Sequence, residues 1–186
     1  MVEVGNTSEY IPCRVELLHP NTDWESVWRR SRLSGLGSEF SSFLYRILHD
    51  LLPTKERQQR ISPSTTSVCS LCPSNSVESL EHAFFHCSFN SEFGIGLLQA
   101  LSHYDSSLTP EKILHLDFNL EDDEFEHPFV WLIAANLLHI WNCRTSANRT
   151  RLYTIRAEVE SKVALLRETR YRASAEKILE IINSEV

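Results

Sequence analysis

A chain of 186 residues, 42% apolar and 23% charged, can bury one core and is too apolar for wholesale disorder. Five Gly, seven Pro and little β-branched alternation argue against a turn-rich β fold and point to an all-α domain. The net charge of −7 makes the whole chain a poor indiscriminate binder of nucleic acid, yet residues 101 to 140 hold eight acids and a single lysine, which leaves the remainder balanced and open to local basic patches.

The first twenty residues show no period and read as an N-terminal arm, followed by a single helical domain over 21–186. Met1 to Pro12 carries acids and no apolar signal segment, so the expected location is intracellular, nuclear or cytoplasmic, rather than secreted. At "NTDWESVWRR" a helix is expected, with Thr22 and Glu25 as a capping box and Trp24, Val27 and Trp28 on one face. Gly35 and Gly37 break it. "EFSSFLYRILHDLL" predicts an amphipathic helix whose inner face is Phe40, Phe43, Leu44, Ile47, Leu48 and Leu51. Pro53 ends that helix, and Thr54 caps a short one through "KERQQRI".

The stretch "CSLCPSNSVESLEHAFFHC", residues 69 to 87, holds three of the five cysteines and two of the eight histidines. Without a secretory signal such clustering reads as metal ligation rather than disulfides. Cys69 and Cys72 form a knuckle; His82 and Cys87 complete C-x2-C-x9-H-x4-C, a thiolate-rich set that suits one structural Zn²⁺ in a module of about residues 60–95. "VESLEHAFFH" is expected as a short helix beginning near Asn75 to Glu78, with Leu80, Phe84 and Phe85 anchored in the core. On an unbroken helix His82 and His86 share a face and Cys87 does not. His86 therefore stands as the alternative fourth ligand, and Cys87 is favoured if the helix ends or tightens near His86. Four protein ligands close the shell, and "ESLEH" is neither H-E-x-x-H nor H-x-x-E-H, so no catalytic residue is assigned.

Beyond the cluster, "EFGIGLLQALSHY" predicts a helix; Gly94 and Gly96 do not make a phosphate-binding G-x-G-x-x-G. Thr109-Pro110-Glu111 is a helix start, "LEDDEFE" a solvated acidic loop, and Pro128 the opening of a buried helix through Arg144. Its apolar run, Phe129 to Trp141, is too short for a membrane span. From Arg149 a further helix carries the stripe Leu152, Ile155, Val159, Val163 and Leu166, and residues 171 to 184 a last one.

"WESVW", "FLYRILHDLLPTKERQQRI", "CSLC" and "ESLEHAFFHCSFN" together resemble the zinc-binding domain found C-terminal to the reverse transcriptase of non-LTR retrotransposons. The resemblance covers about residues 24 to 90. It implies that Cys69, Cys72, His82 and Cys87 bind zinc. Neither a Y-x-D-D polymerase motif nor a P-D-x-x-D endonuclease motif occurs, so the accessory domain alone is expected, helping to grip template RNA or target DNA. Candidate contacts to single-stranded RNA or DNA are Lys55, Arg57 and Arg60 before the knuckle, and Arg144, Arg149, Arg151 and Arg156, which have no acid between them. The other expectation is a zinc-stapled scaffold that binds protein, or itself, through the 149–170 stripe. Neither a membrane nor a small-molecule substrate is expected as a partner.

Overall fold

The computed structural model describes residues 12–33, 37–120 and 126–146, together with Ser161, Arg172, Ala173 and Glu176. These are helical, and their only β pairing is one isolated antiparallel bridge between Val68 and Val77. The order is α1 (Arg14–Leu18), α2 (Trp24–Arg30), α3 (Gly37–Leu48), α4 (Lys55–Ile61), a π-helical turn (His82–His86), α5 (Ser91–Ser102), α6 (Pro110–His115) and α7 (Glu126–Thr145).

The centre is α7. Its apolar residues recur on every face, so it is buried almost throughout, from Pro128 to Trp141 and again at Arg144. Phe40 of α3 meets Trp131 of α7 edge to face, with centroids 5.5 Å apart. Phe84 of the π-turn lies 5.9 Å from Trp141. Among the described residues no helix is long and apolar enough to cross a membrane.

The expected inner face of α3 is buried at Phe40, Phe43, Leu44, Ile47 and Leu48. Leu51 is not part of it: the helix stops at Leu48, Asp50 turns with φ of 51°, and Leu52 is buried in place of the exposed Leu51. Thr54 caps α4 by accepting from the Arg57 N–H at 3.2 Å, and Thr109 caps α6 by accepting from that of Lys112 at 3.2 Å. The cap of α2 is Asp23, not Thr22; its carboxylate accepts from the Ser26 amide.

Within the expected N-terminal arm, α1 is a short helix tied down by a polar contact rather than by an apolar period. Glu16 is buried, accepting from the Cys13 N–H and from the Trp28 indole N–H, each at 2.6 Å. α7 starts two residues ahead of Pro128, at Glu126. That glutamate belongs to the expected solvated acidic loop, but it pairs with Arg29 and Arg30 of α2. Arg30 also donates to the Leu116 carbonyl at 2.8 Å and lies over the Phe118 ring. The expected helices over 149–170 and 171–184 fall outside the described residues, apart from the four isolated positions named above.

Candidate metal centre

The knuckle is a small hairpin. The Cys69 amide donates to the Ser76 carbonyl at 3.0 Å and the Glu78 amide to that of Ser67 at 2.8 Å, on either side of the Val68–Val77 bridge. Asn75 takes the left-handed conformation, φ of 52°, that closes the turn. The expected helix start at Asn75 to Glu78 is therefore hairpin backbone, and helical structure begins only at Leu80.

Within that helix the chain widens instead of tightening. The Cys87 amide donates to the His82 carbonyl at 2.7 Å, an i to i+5 contact, and residues His82–His86 form a π-turn. One residue is thereby added to the turn, and Cys87 comes to lie over His82, the place His86 would take on an α-helix. His86 is turned out to solvent, where its Nε2 meets Glu81 at 2.9 Å. Phe84 and Phe85 are fully buried and Leu80 packs beside them, as expected.

Cys69 Sγ, Cys72 Sγ, a His82 ring nitrogen and Cys87 Sγ all lie within 4.8 Å of one another, and all four residues are buried. Zn–S bonds of about 2.3 Å and Zn–N bonds of about 2.0–2.1 Å at tetrahedral angles require edges of about 3.75 Å between sulfurs and about 3.5 Å between sulfur and nitrogen. The Cys69–Cys87 sulfur separation is 3.8 Å, and Cys72 Sγ stands 3.4 Å from His82 Nε2. The ligand set thus fits a single tetrahedral zinc.

The surroundings favour the ligating forms of Cys72 and His82 and oppose that of Cys87. Burial acts to raise the Cys72 thiol, but hydrogen bonds from the Ser74 hydroxyl and amide and from Cys69 and Cys87 outweigh it and bring the group down to about 7. Burial, then the nearby Arg144 charge, lowers His82, so its ring is neutral and can ligate at pH 7. Cys87 is raised by burial against the opposing pull of the Phe89 amide and of Arg144. The Leu71 amide points at Cys69 Sγ at 3.5 Å.

Arg144 was a candidate nucleic-acid contact in the sequence; its guanidinium faces inward instead. It donates to Cys87 Sγ and Cys69 Sγ, each at 3.3 Å, and pairs with the buried Glu78 at 2.6 Å. Only 4% of its side chain is exposed. Three thiolates on a divalent ion leave one excess negative charge, and the buried guanidinium shares its positive charge between two of those sulfurs and the Glu78 carboxylate. No metal-ligand spacing marks this residue: it lies far along the chain, at the end of α7, and only the fold brings it to the sulfurs.

The α4 candidates Lys55, Arg57 and Arg60 sit on a helix with no buried residue. Arg57 Nε donates to the Asp50 carbonyl at 2.6 Å, and Arg60 pairs with the Asp50 carboxylate. The Lys55 amide approaches Glu78, which also holds Arg144, so α4 is joined to the knuckle. Arg149, Arg151 and Arg156 lie outside the described residues.

Residues 10–93, a little under half of the chain, match the family described as zinc-binding in reverse transcriptase. The matched stretch contains all four candidate ligands and bears out the resemblance read from the sequence; the family is an accessory zinc-binding domain, not a catalytic one. No curated protein and no solved structure matches the chain.

Proposed function

We propose that this protein is an accessory module in which Cys69, Cys72, His82 and Cys87 hold one structural zinc ion, and whose basic surface grips single-stranded RNA or DNA. The observation that carries the zinc assignment is the pair of ligand separations, 3.8 Å and 3.4 Å, which match tetrahedral edges. Such an ion joins the hairpin to the π-turn, and through Arg144 to α7. With four protein ligands there is no open position for a substrate or activated water, so the role of this ion is structural.

The nucleic-acid role is supported by the family match and by α4, a surface helix without a buried residue that carries Lys55, Arg57 and Arg60 beside the knuckle. Arg149, Arg151 and Arg156 extend the basic supply. Fluorescence anisotropy with a labelled single strand at several salt concentrations tests the role. Each phosphate contact contributes about 0.7 to the slope of log affinity against log salt on single strands, so three contacts from α4 give a slope magnitude of about 2. Lys55→Glu should lower both affinity and slope. No binding at low salt would end the nucleic-acid reading and leave a zinc-stapled protein scaffold.

A further inference from the structure

A second group of metal-ligating side chains lies where α1 meets α6. His19 caps α1, while Glu111 and His115 are one turn apart on α6 and share a face. One ligand atom from each of the three residues lies within 4.8 Å of the others. His19 Nδ1 is 2.7 Å from a Glu111 carboxylate oxygen, a hydrogen-bond distance that a shared ion would open to about 3.3 Å, and the two imidazole centroids are 4.3 Å apart. Several contacts hold them there. The Trp24 indole N–H donates to the His19 carbonyl at 2.9 Å, and the Trp24 ring lies 5.7 Å from that of His115. The Thr109 cap and Pro110 begin α6, and the left-handed Leu116 ends it, which fixes the register of Glu111 and His115.

We propose that His19, Glu111 and His115 form a second divalent-metal site, suited to Zn²⁺ or Ni²⁺ and independent of the thiolate cluster. Two imidazoles and a carboxylate make a borderline ligand set that prefers such ions to Mg²⁺ or Ca²⁺. Three protein ligands leave coordination open to water. Asp117 adds negative charge nearby, and the adjoining cleft carries Asp50, Glu56 and Glu81 together with Arg14 and Arg60. An ion here clips α1 onto α6, a link that the thiolate cluster does not provide.

The test is a Co²⁺ titration of the full chain carrying one equivalent of zinc, which the thiolate cluster takes, followed by visible absorption. Cobalt at a nitrogen and oxygen site gives weak d–d bands; cobalt that displaces zinc from the cysteines gives intense thiolate charge transfer. The expected result is about one equivalent of cobalt bound with d–d bands alone, lost in Glu111→Gln and in His115→Asn while circular dichroism is unchanged. Glu111 is exposed, so its variant tests the ligand without disturbing the core. No cobalt beyond thiolate exchange in the unaltered chain, or full binding in both variants, would overturn the proposal and leave a His19–Glu111 ion pair.

Discussion

The backbone amide of Cys87 reaches back five residues to the carbonyl of His82, at 2.7 Å, and this single widened turn decides which side chain faces the sulfurs. Cys87→Ser should therefore lose the thiolate-bound equivalent of zinc and unfold the knuckle, since structural zinc supplies folding free energy directly. His86→Ala should keep that equivalent, because His86 is turned away from the sulfurs and pairs with the exposed Glu81. Elemental analysis of protein purified without added metal distinguishes the two, and zinc lost from the His86 variant alone would transfer the fourth position to that histidine.

Arg144 is expected to tune the site without binding the metal. Partners that contact ligands in this way typically change metal affinity by about 10- to 100-fold, and Arg144→Gln should weaken zinc by that order in a chelator competition. The same change leaves Glu78 buried without its cation, a loss of about 3–5 kcal/mol in comparable pairs. Adding Glu78→Gln should recover part of the stability but not the zinc affinity, because the excess charge on the thiolates stays uncompensated. Recovery of both together would mean that the guanidinium serves only Glu78.

The local signals in the sequence were sufficient for α3, α4 and α6. Phe40 to Leu48 keep the helical period, and Thr54 and Thr109 cap where their positions indicate. The four cysteine and histidine positions were legible because metal ligation demands fixed residue types at short spacing. What failed depended on contacts remote in sequence. α1 is held by the bond of Glu16 to Trp28, so no apolar period announces it. The acid at Glu126 read as solvent-facing because its partners, Arg29 and Arg30, lie nearly a hundred residues away. The π-turn left no periodic mark either, as one extra residue in one turn cannot be seen against a 3.6-residue repeat.

Gly94 and Gly96, unremarkable as a phosphate motif, have distinct structural roles. A Cβ on Gly94 would stand 2.1 Å from the Phe84 carbonyl oxygen, whereas one on Gly96 meets nothing within 4 Å. The close approach of α5 to the π-turn requires the first glycine, and Gly94→Ala should destabilise by at least about 1–3 kcal/mol as the helix is forced away. Gly96→Ala should instead stabilise by up to about 1 kcal/mol through helix propensity. Urea denaturation of the two variants reads the difference, and equal effects would contradict the packing.

Acid should weaken the domain through His115. Burial, reinforced by the neighbouring His19 and opposed by Glu111 and Asp117, pushes this group down to about 4 from an ordinary value of 6.5. Above 6.5 the imidazole is neutral in both the folded and unfolded chains, so it contributes no pH dependence. Between 6.5 and 4 the unfolded chain takes up a proton that the folded chain refuses, and stability falls as pH falls; below 4 both are protonated and the effect levels off. A displacement of this size corresponds to about 3 kcal/mol at most. Zinc release in acid also destabilises the protein, but it does so in every variant that keeps the four thiolate-site ligands. With one equivalent of zinc, so that the His19–Glu111–His115 site holds no metal, the difference between the unaltered chain and His115→Asn isolates the imidazole. Urea midpoints measured from pH 7 down to pH 4.5 should fall less steeply in the variant, and parallel lines would mean that His115 is protonated in the folded protein after all.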